Sequence, residues 1–308
     1  MDSQTTQRTN SQFSQASEAQ ASPRSGIVWL ASYPKSGNTW TRAFLHNLIK
    51  VVSGEAESQQ YINELGRFTA GLSGKELYAK VLGFEPTNEH RSEIAAVRHE
   101  VQRRAADHFD GLLFTKTHQA LVVDRGATTI NFGVTAGAIY IVRNPLDVAI
   151  SYAHHMGSTI DQAIKIMGTP NAELPVSEKQ VHEVYGTWSQ HVLSWTRTPH
   201  QAIYAMRYED MLAEPEKTFG GLARHLLFTP TQQQLADAIK TSSFDELRAQ
   251  EDQEGFREKS EKAERFFREG RAGQWKEILT SHQIKQIVND HHDQMMRFGY
   301  LPDQPNSV

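Results

Sequence analysis

Cysteine is absent from all 308 residues. That excludes a disulfide scaffold, a thiolate nucleophile and a cysteine-ligated zinc site, and it suits a reducing cytoplasm. Long apolar runs are absent as well. The longest largely apolar stretch, residues 133–142, is far too short to span a membrane. Neither sign of charge is in large excess. The 32 Lys and Arg against 36 Asp and Glu leave a net charge of −4, so no nucleic-acid partner is expected. Residues 1–25 carry only Phe13 as a large apolar side chain after Met1. So little apolar surface cannot offset the entropy of ordering, so this segment is expected to be a disordered tail and not a secretory signal.

The remaining chain alternates two hydrophobic periods. Ile27, Val28, Trp29 and Leu30 form a short apolar run that reads as a buried parallel strand, ended by the turn-like Ser32, Tyr33 and Pro34. Beyond Gly37 the period changes. Trp40, Phe44, Leu48 and Val52 recur every four residues with Leu45 and Ile49 beside them, the pattern of an amphipathic helix. Further strands are expected at 111–115, 138–142 and 202–206, with a helix over 145–154 that takes Pro145 into its first turn. The alternation predicts a single α/β domain over 26–305, a central parallel sheet flanked by helices. Residues 53–97, 157–177 and 248–264 have weaker patterns, the first of them helical around 75–81.

Tyr33, Pro34, Lys35, Ser36, Gly37, Asn38, Thr39 and Trp40 lie between the first strand and its helix. In that P-loop-like position, backbone N–H groups and a helix N-terminus receive phosphate. Gly37 lets the backbone approach a ligand closely, and Ser36, Asn38 and Thr39 add short side-chain donors. The nucleoside-triphosphatase pattern G-x-x-x-x-G-K-[ST] does not fit. Asn38 follows Gly37 in place of lysine, Lys35 precedes it, and Ser32 stands where the leading glycine belongs.

These residues resemble the 5′-phosphosulfate loop of the cytosolic sulfotransferase family. Further likenesses follow in the family's order: Arg143 to Tyr152 for its 3′-phosphate element, Tyr185 to Trp195 for its central helix, Tyr208 to Met211 for its adenine-side tyrosine, and Phe267 to Lys276 for its R-K-G-x-x-G-D-W-K element. The resemblance spans roughly residues 26–300. It implies transfer of a sulfuryl group from 3′-phosphoadenosine 5′-phosphosulfate (PAPS) to a hydroxyl or amine of a small molecule. The product is 3′,5′-adenosine bisphosphate (PAP), and no metal is required.

His118 is the expected general base, because an imidazole titrates near working pH and this one ends a predicted strand. A lone histidine is more often structural, and here the match of Lys116, Thr117 and His118 to the family's histidine segment decides. Phe114, Lys116 and His118 share a strand face by period two, so Lys116 is expected beside the transferred group. Lys35 is expected on the bridging oxygen. Thr39 is read as a phosphate donor, and Trp40 as mainly core with a backbone contact implied by the resemblance. Arg143 and Ser151, with Arg268 and Gly270, are implied for the 3′-phosphate, where a guanidinium fork suits phosphate oxygens. Tyr208, Ser242, Ser243 and Phe244 are implied around the adenine. Trp188 and Trp195 read as a core stripe. The pairs His154–His155 and His291–His292 lack the spacing of a zinc helix, so no metal site is expected.

The chain departs from the family at Glu269, where lysine is usual, and at Gln274, where aspartate is usual. The family's dimer motif, K-x-x-x-T-V-x-x-x-E, is retained at Lys276 and Thr280 but carries Ser281 and Lys285 elsewhere, which leaves oligomeric state open. The acceptor pocket is expected from 53–97, 157–177 and 248–264. Tyr61, Phe68, Leu72, Leu77, Tyr78 and Phe84 suggest an apolar alcohol or phenol there, or else pack helices. Charge-dense residues 251–268 read as a solvated helix or a flap. A nucleoside-triphosphate kinase and a catalytically silent binding protein are the alternatives.

Overall fold

Alternate residues of the first strand point into two different cores, which is why nearly every position in it is apolar. The computed structural model describes residues 25–55 and 61–302. Its central sheet is built from β1 (Gly26–Ser32), β2 (Ala70–Gly71), β3 (Leu112–Thr117), β4 (Thr135–Val142) and β5 (Ile203–Arg207). They lie in the order β2-β3-β1-β4-β5, all parallel. The chain runs from β1 to β2 and β3 on one side, then crosses to β4 and β5 on the other. The winding therefore reverses beside β1, where open α/β sheets bind ligands.

The longer helices, in chain order, are α1 (Asn38–Ser53), α2 (Lys75–Leu82), α3 (Arg91–His108), α4 (Pro145–Met156), α5 (Ile160–Met167), α6 (Trp188–Thr196), α7 (Pro215–His225), α8 (Gln232–Thr241), α9 (Phe244–Glu254) and α10 (Ser281–Arg297). Ile27, Trp29 and Ala31 meet Ala138, Tyr140 and Val142 on one face of the sheet, under α4, α5, α6 and α10. Val28 and Leu30 meet Phe114, Ile139 and Ile141 on the other, under α1, α7 and α8. The strand register also sets the site. Ala31 pairs with Thr117 and Tyr140, and Val142 pairs with Arg207. Tyr33, His118, Arg143 and Tyr208 therefore all leave the sheet at one end.

The α/β architecture, the four apolar strands, α1, and α4 with Pro145 in its first turn agree with expectation, and the Asn144 side chain caps α4. Trp188 and Trp195 are core residues, 0% and 3% exposed. Several details differ. Val52 ends the predicted apolar stripe of α1 but is exposed. The weakly patterned residues 53–97 lead into α3, whose buried face carries Arg98 and Gln102 among Ile94, Ala95 and Val101. Residues 157–177 contain α5, started by a Thr159–Gln162 capping box. Of the charge-dense residues 251–268, Glu251–Glu254 end α9 with 252–254 exposed, and 255–268 are not a helix but pack on the body through their phenylalanines. Phe256 and Phe267 bury against Leu247, Ala43 and Leu65, and the buried Glu251 carboxylate accepts from the Phe266 and Phe267 amides at 2.8 Å. The expected tail, apart from Ser25, lies outside the described residues, as does the end of the expected domain beyond 302. No described helix is long and apolar enough to cross a membrane.

Arg98 is fully buried, and its guanidinium donates to the Asp124 carboxylate at 2.7 Å, with His182 Nε2 at 2.9 Å on the same oxygen. Removing one partner of a buried pair leaves an uncompensated charge. Asp124→Ala is expected to lower the unfolding free energy by about 3–5 kcal/mol in urea titration. Asp110→Ala, at an exposed position, should stay within about 0.5 kcal/mol of the parent.

Candidate active site

A cavity of about 440 Å³ opens at the carboxyl ends of β1, β3 and β4. Lys35, Gly37, Asn38, Thr39, Trp40, Lys116, His118, Arg143, Ser151, Tyr208, Phe244, Arg268 and Gly270 all line it. The structure thus brings together residues from six separate parts of the chain that the sequence singled out. Ser36 and Ser242 are not on the wall. Ser36 is fully buried below the loop with its hydroxyl unpartnered. Ser242 is buried too, and its hydroxyl donates to the Ala238 and Ile239 carbonyls at the end of α8, so it is spent on the helix. Ser243 caps α9.

The loop's shape follows from its glycine. Gly37 adopts φ 107° as the residue before α1, and a Cβ there would stand 2.8 Å from Tyr208 Cδ2. No side chain caps α1 and no acid lies in its first turn, so its leading amides are free to receive an anion. Asn38 was expected as a ligand donor. Its amide instead staples the loop to the strand, donating to the Leu30 carbonyl at 2.8 Å and the Ser32 hydroxyl at 3.3 Å. Lys35 holds φ 66°, a left-handed conformation uncommon for a side-chain-bearing residue, and its ammonium lies 3.9 Å from the Phe266 ring centroid. Burial, then the Arg143 and Lys116 charges, bring its pKa down to about 7 against an opposing pull from Glu251.

His118 Nδ1 lies 2.8 Å from the Ser32 carbonyl. A carbonyl can only accept, so Nδ1 carries the proton and Nε2 keeps the lone pair. Burial, then the Lys116 charge, hold its pKa well below the usual histidine value. The imidazole is therefore neutral at working pH. Helix α6 fixes the histidine from behind. His191 Nε2 meets the His118 carbonyl at 3.0 Å, while the Tyr140 hydroxyl meets His191 Nδ1 at 2.9 Å. Trp195 donates to the Gln119 carbonyl at 3.0 Å, and the Leu121 amide donates to Ser194 at 2.9 Å.

Lys116 faces Glu258 at 3.4 Å, and Arg42, buried on α1, grips the same carboxylate through both terminal nitrogens at 2.8 and 2.7 Å. Burial works to raise the Glu258 pKa, but Arg42 and Lys116 outweigh it and bring it down to about 2. Arg143 does not reach out as a free fork. It donates to the Lys35 carbonyl at 3.0 Å and the Arg271 carbonyl at 3.3 Å, stacks 4.2 Å over the Tyr208 ring, and leaves Nε without a partner. Arg268 pairs with Glu269 at 3.2 Å and with the buried Gln274 side chain. Asp147 holds this segment on α4, accepting from the Gly273 amide at 2.7 Å and the Trp275 amide at 3.0 Å. Trp40 packs edge-on against Tyr208 and Phe219.

The sequence reading gave no individual role to Glu258, Asp147, His191, Ser73, Glu183 or Tyr185. Asp147, Tyr185 and His191 lie inside the matched motifs, which was the available signal. The aromatics and leucines expected around an acceptor do not line the cavity. Phe68 stacks between His46 and Phe114, Leu72 and Tyr78 are buried in core clusters, and Tyr61, Leu77 and Phe84 are exposed. From those regions the wall receives Gly71, Ser73, Leu174 and Glu258. Among the described residues no three His, Asp or Glu side chains group as a metal site.

The family model described as sulfotransferase domain matches residues 26–299. Flavonol 3-sulfotransferase of Flaveria bidentis is 24% identical over 273 residues, covering 84% of this chain and 78% of the relative. Cytosolic sulfotransferase 13 of Arabidopsis thaliana is 27% identical over 152 residues, 46% of each chain. The crystal structure of mouse sulfotransferase SULT7A1 complexed with PAP has the same fold, with a TM-score of 0.58 at 18% identity over 90% of both chains.

Gly37→Ala would place a side chain in a left-handed position and against Tyr208. It is expected to lower stability by about 1–3 kcal/mol in denaturant titration. It should also reduce the thermal stabilisation that inorganic pyrophosphate gives the parent. Undiminished stabilisation would show that this loop does not hold anions.

Proposed function

The chain belongs to the sulfotransferase domain family and is a PAPS-dependent transferase acting on a small-molecule acceptor, and we propose that His118 takes the acceptor's proton while Lys35 and Lys116 balance the charge of transfer. The observation that carries this reading is the bond from His118 to the Ser32 carbonyl, which leaves Nε2 basic in the same cavity as both lysines.

The residues present fit the donor. Three cations, Lys35, Arg143 and Arg268, converge on one cavity beside the uncapped start of α1. Arg143 keeps an unpartnered buried Nε, and Gly37 and Gly270 press so close to Tyr208 and Phe244 that a Cβ at either would collide. Lys35, Gly37, Thr39 and the backbone at Trp40 would hold the 5′ side. Arg143, Ser151, Arg268 and Gly270 would hold the 3′-phosphate, with Tyr208 and Phe244 at the adenine. Ser242 and the Asn38 side chain are left out of this assignment because their donors are already used. Bound PAPS supplies a sulfuryl group on a phosphate leaving group. Lys35 and Lys116 stabilise negative charge that spreads over peripheral oxygens, as in phosphoryl transfer. His118 Nε2 accepts the hydroxyl proton during attack. His191, Tyr140 and Trp195 position it and touch no substrate.

The acceptor we propose is an alcohol or phenol whose apolar part lies against Tyr152, Met156 and Leu174 on the wall. We place the reaction in the cytoplasm, a reading supported by a cysteine-free composition and a cytosolic relative.

Calorimetric titration with PAP, and with ATP plus magnesium as the control, tests the donor. PAP should bind and ATP should not; metal-dependent ATP binding without PAP binding would favour a kinase. His118→Ala should abolish turnover and spare PAP affinity. PAP binding by the parent without turnover on any alcohol or phenol would favour a silent binding protein.

Lys35 provides a pH test. Its charged form, present below about 7, is lost as pH rises through that value. An anion beside the ammonium raises the pKa again, so binding takes up a proton. PAP affinity is expected to fall above the Lys35 pKa by up to about tenfold per pH unit. Calorimetry in buffers of different ionisation enthalpy would read the proton uptake directly. Lys35→Arg, charged throughout, should flatten the profile, and an affinity that rises with pH would contradict the assignment.

A further inference from the structure

Glu183 is a carboxylate for which the transfer chemistry has no use. It is 6% exposed on the short strand Glu183–Val184, and it lines the cavity together with Ser73 and Tyr185. The Ser73 hydroxyl donates to Oε1 at 2.5 Å and the Tyr185 hydroxyl to Oε2 at 2.9 Å. Both donors are themselves on the wall, so the carboxylate sits at the surface of the chamber. The Tyr185 ring lies 6.3 Å from the His118 ring, which places this group beside the base.

Charge pairing sets Glu183 apart. The other two carboxylates on the wall are neutralised, Glu258 by Arg42 and Lys116, and Glu269 by Arg268 and Arg271. Among the described residues no lysine, arginine or histidine forms an ion pair with Glu183. Lys116 is near enough to feel its charge, but its contact partner is Glu258. His155, the cavity histidine besides His118, is held neutral near a pKa of about 4 by burial and by the Lys35 and Lys116 charges. Two hydroxyl donors satisfy part of the carboxylate's hydrogen-bonding capacity and none of its charge. A buried carboxylate without a cation is costly unless a ligand supplies one.

We propose that the acceptor carries an ammonium group in addition to its hydroxyl, and that Glu183, held by Ser73 and Tyr185, is the residue that selects it. This rests on the sulfotransferase reading and narrows its acceptor to an amino-alcohol or aminophenol. The amine docks on Glu183 and remains unsulfated, while the hydroxyl faces His118.

The test compares two phenols of similar size, 4-(2-aminoethyl)phenol and 4-propylphenol. Their kcat/KM values with PAPS, and their binding by calorimetry with and without saturating PAP, are measured for the parent and for Glu183→Gln. That variant keeps the shape and an acceptor oxygen but not the charge. The parent is expected to favour the ammonium compound at least about tenfold, mainly through KM, and Glu183→Gln should bring the ratio to about one. An even preference in the parent would overturn the proposal, as would binding of neither phenol. Equal loss of turnover on both phenols in Glu183→Gln, with binding intact, would instead make Glu183 a proton acceptor. Failure of PAP to bind would count against the sulfotransferase reading itself. An ammonium preference in binding without PAP would still stand apart from that result.

Discussion

The hydrogen bond between His118 and the Ser32 carbonyl joins the end of β3 to the start of the phosphate loop. It fixes the tautomer of the imidazole and ties the histidine to the loop that carries Lys35. Ser32 is the last residue of β1, paired with Ile141, and His118 directly follows β3, so the bond carries the alignment of the sheet on to the imidazole. The bond is possible because β1 and β3 are paired in a register that brings Ser32 level with His118. α6 supports it from the other side through His191, Ser194 and Trp195. A histidine held by its carbonyl, its neighbour's carbonyl and its own ring nitrogen has little orientational freedom left to lose, which suits the role proposed for it.

Much of this was legible in the sequence. β1 and α1 stood out because the hydrophobic period changes at Gly37, and both faces of β1 are buried. Lys35, Lys116, His118 and Arg143 were legible through the likeness of their segments to the family's motifs, and the parallel strands in register place these segments at one end of the sheet. α3 was not legible. Its buried face uses Arg98 and Gln102, whose polar groups find their partners far along the chain, in Asp124, His182 and the 129–131 backbone. Glu258 was hidden for the same reason. A glutamate in a charge-rich loop looks solvated until Arg42, 216 residues earlier, is folded against it. Of the six side chains considered for the acceptor, Leu72 and Tyr78 are in cores, the packing alternative that the sequence left open, Phe68 stacks between His46 and Phe114, and Tyr61, Leu77 and Phe84 are exposed.

The electrostatics of the cavity divide by distance from the sheet. Close to the strand ends the cations are crowded and partly desolvated, which is why Lys35 titrates near 7 and the histidines stay neutral. Farther out, the segment after α9 brings carboxylates that offset them, and its phenylalanines anchor it to the body. Positive charge is thus concentrated where a sulfated nucleotide would lie without being left uncompensated in the free protein.

Asp147 accepts from the Gly273 and Trp275 amides, and Arg143 reaches the Arg271 carbonyl. The wall of the cavity is therefore finished by Arg268, Gly270 and Gln274, well after the sheet's last strand at Arg207 has been made. During synthesis a ribosome would present a complete sheet with an open, unclosed nucleotide groove until the segment around residue 275 emerged. A chain clipped ahead of Gly273 would lose this wall together with α10, whose Ile287 and Met295 pack in the core on one face of the sheet, so the last segment to be made both closes the groove and completes the core.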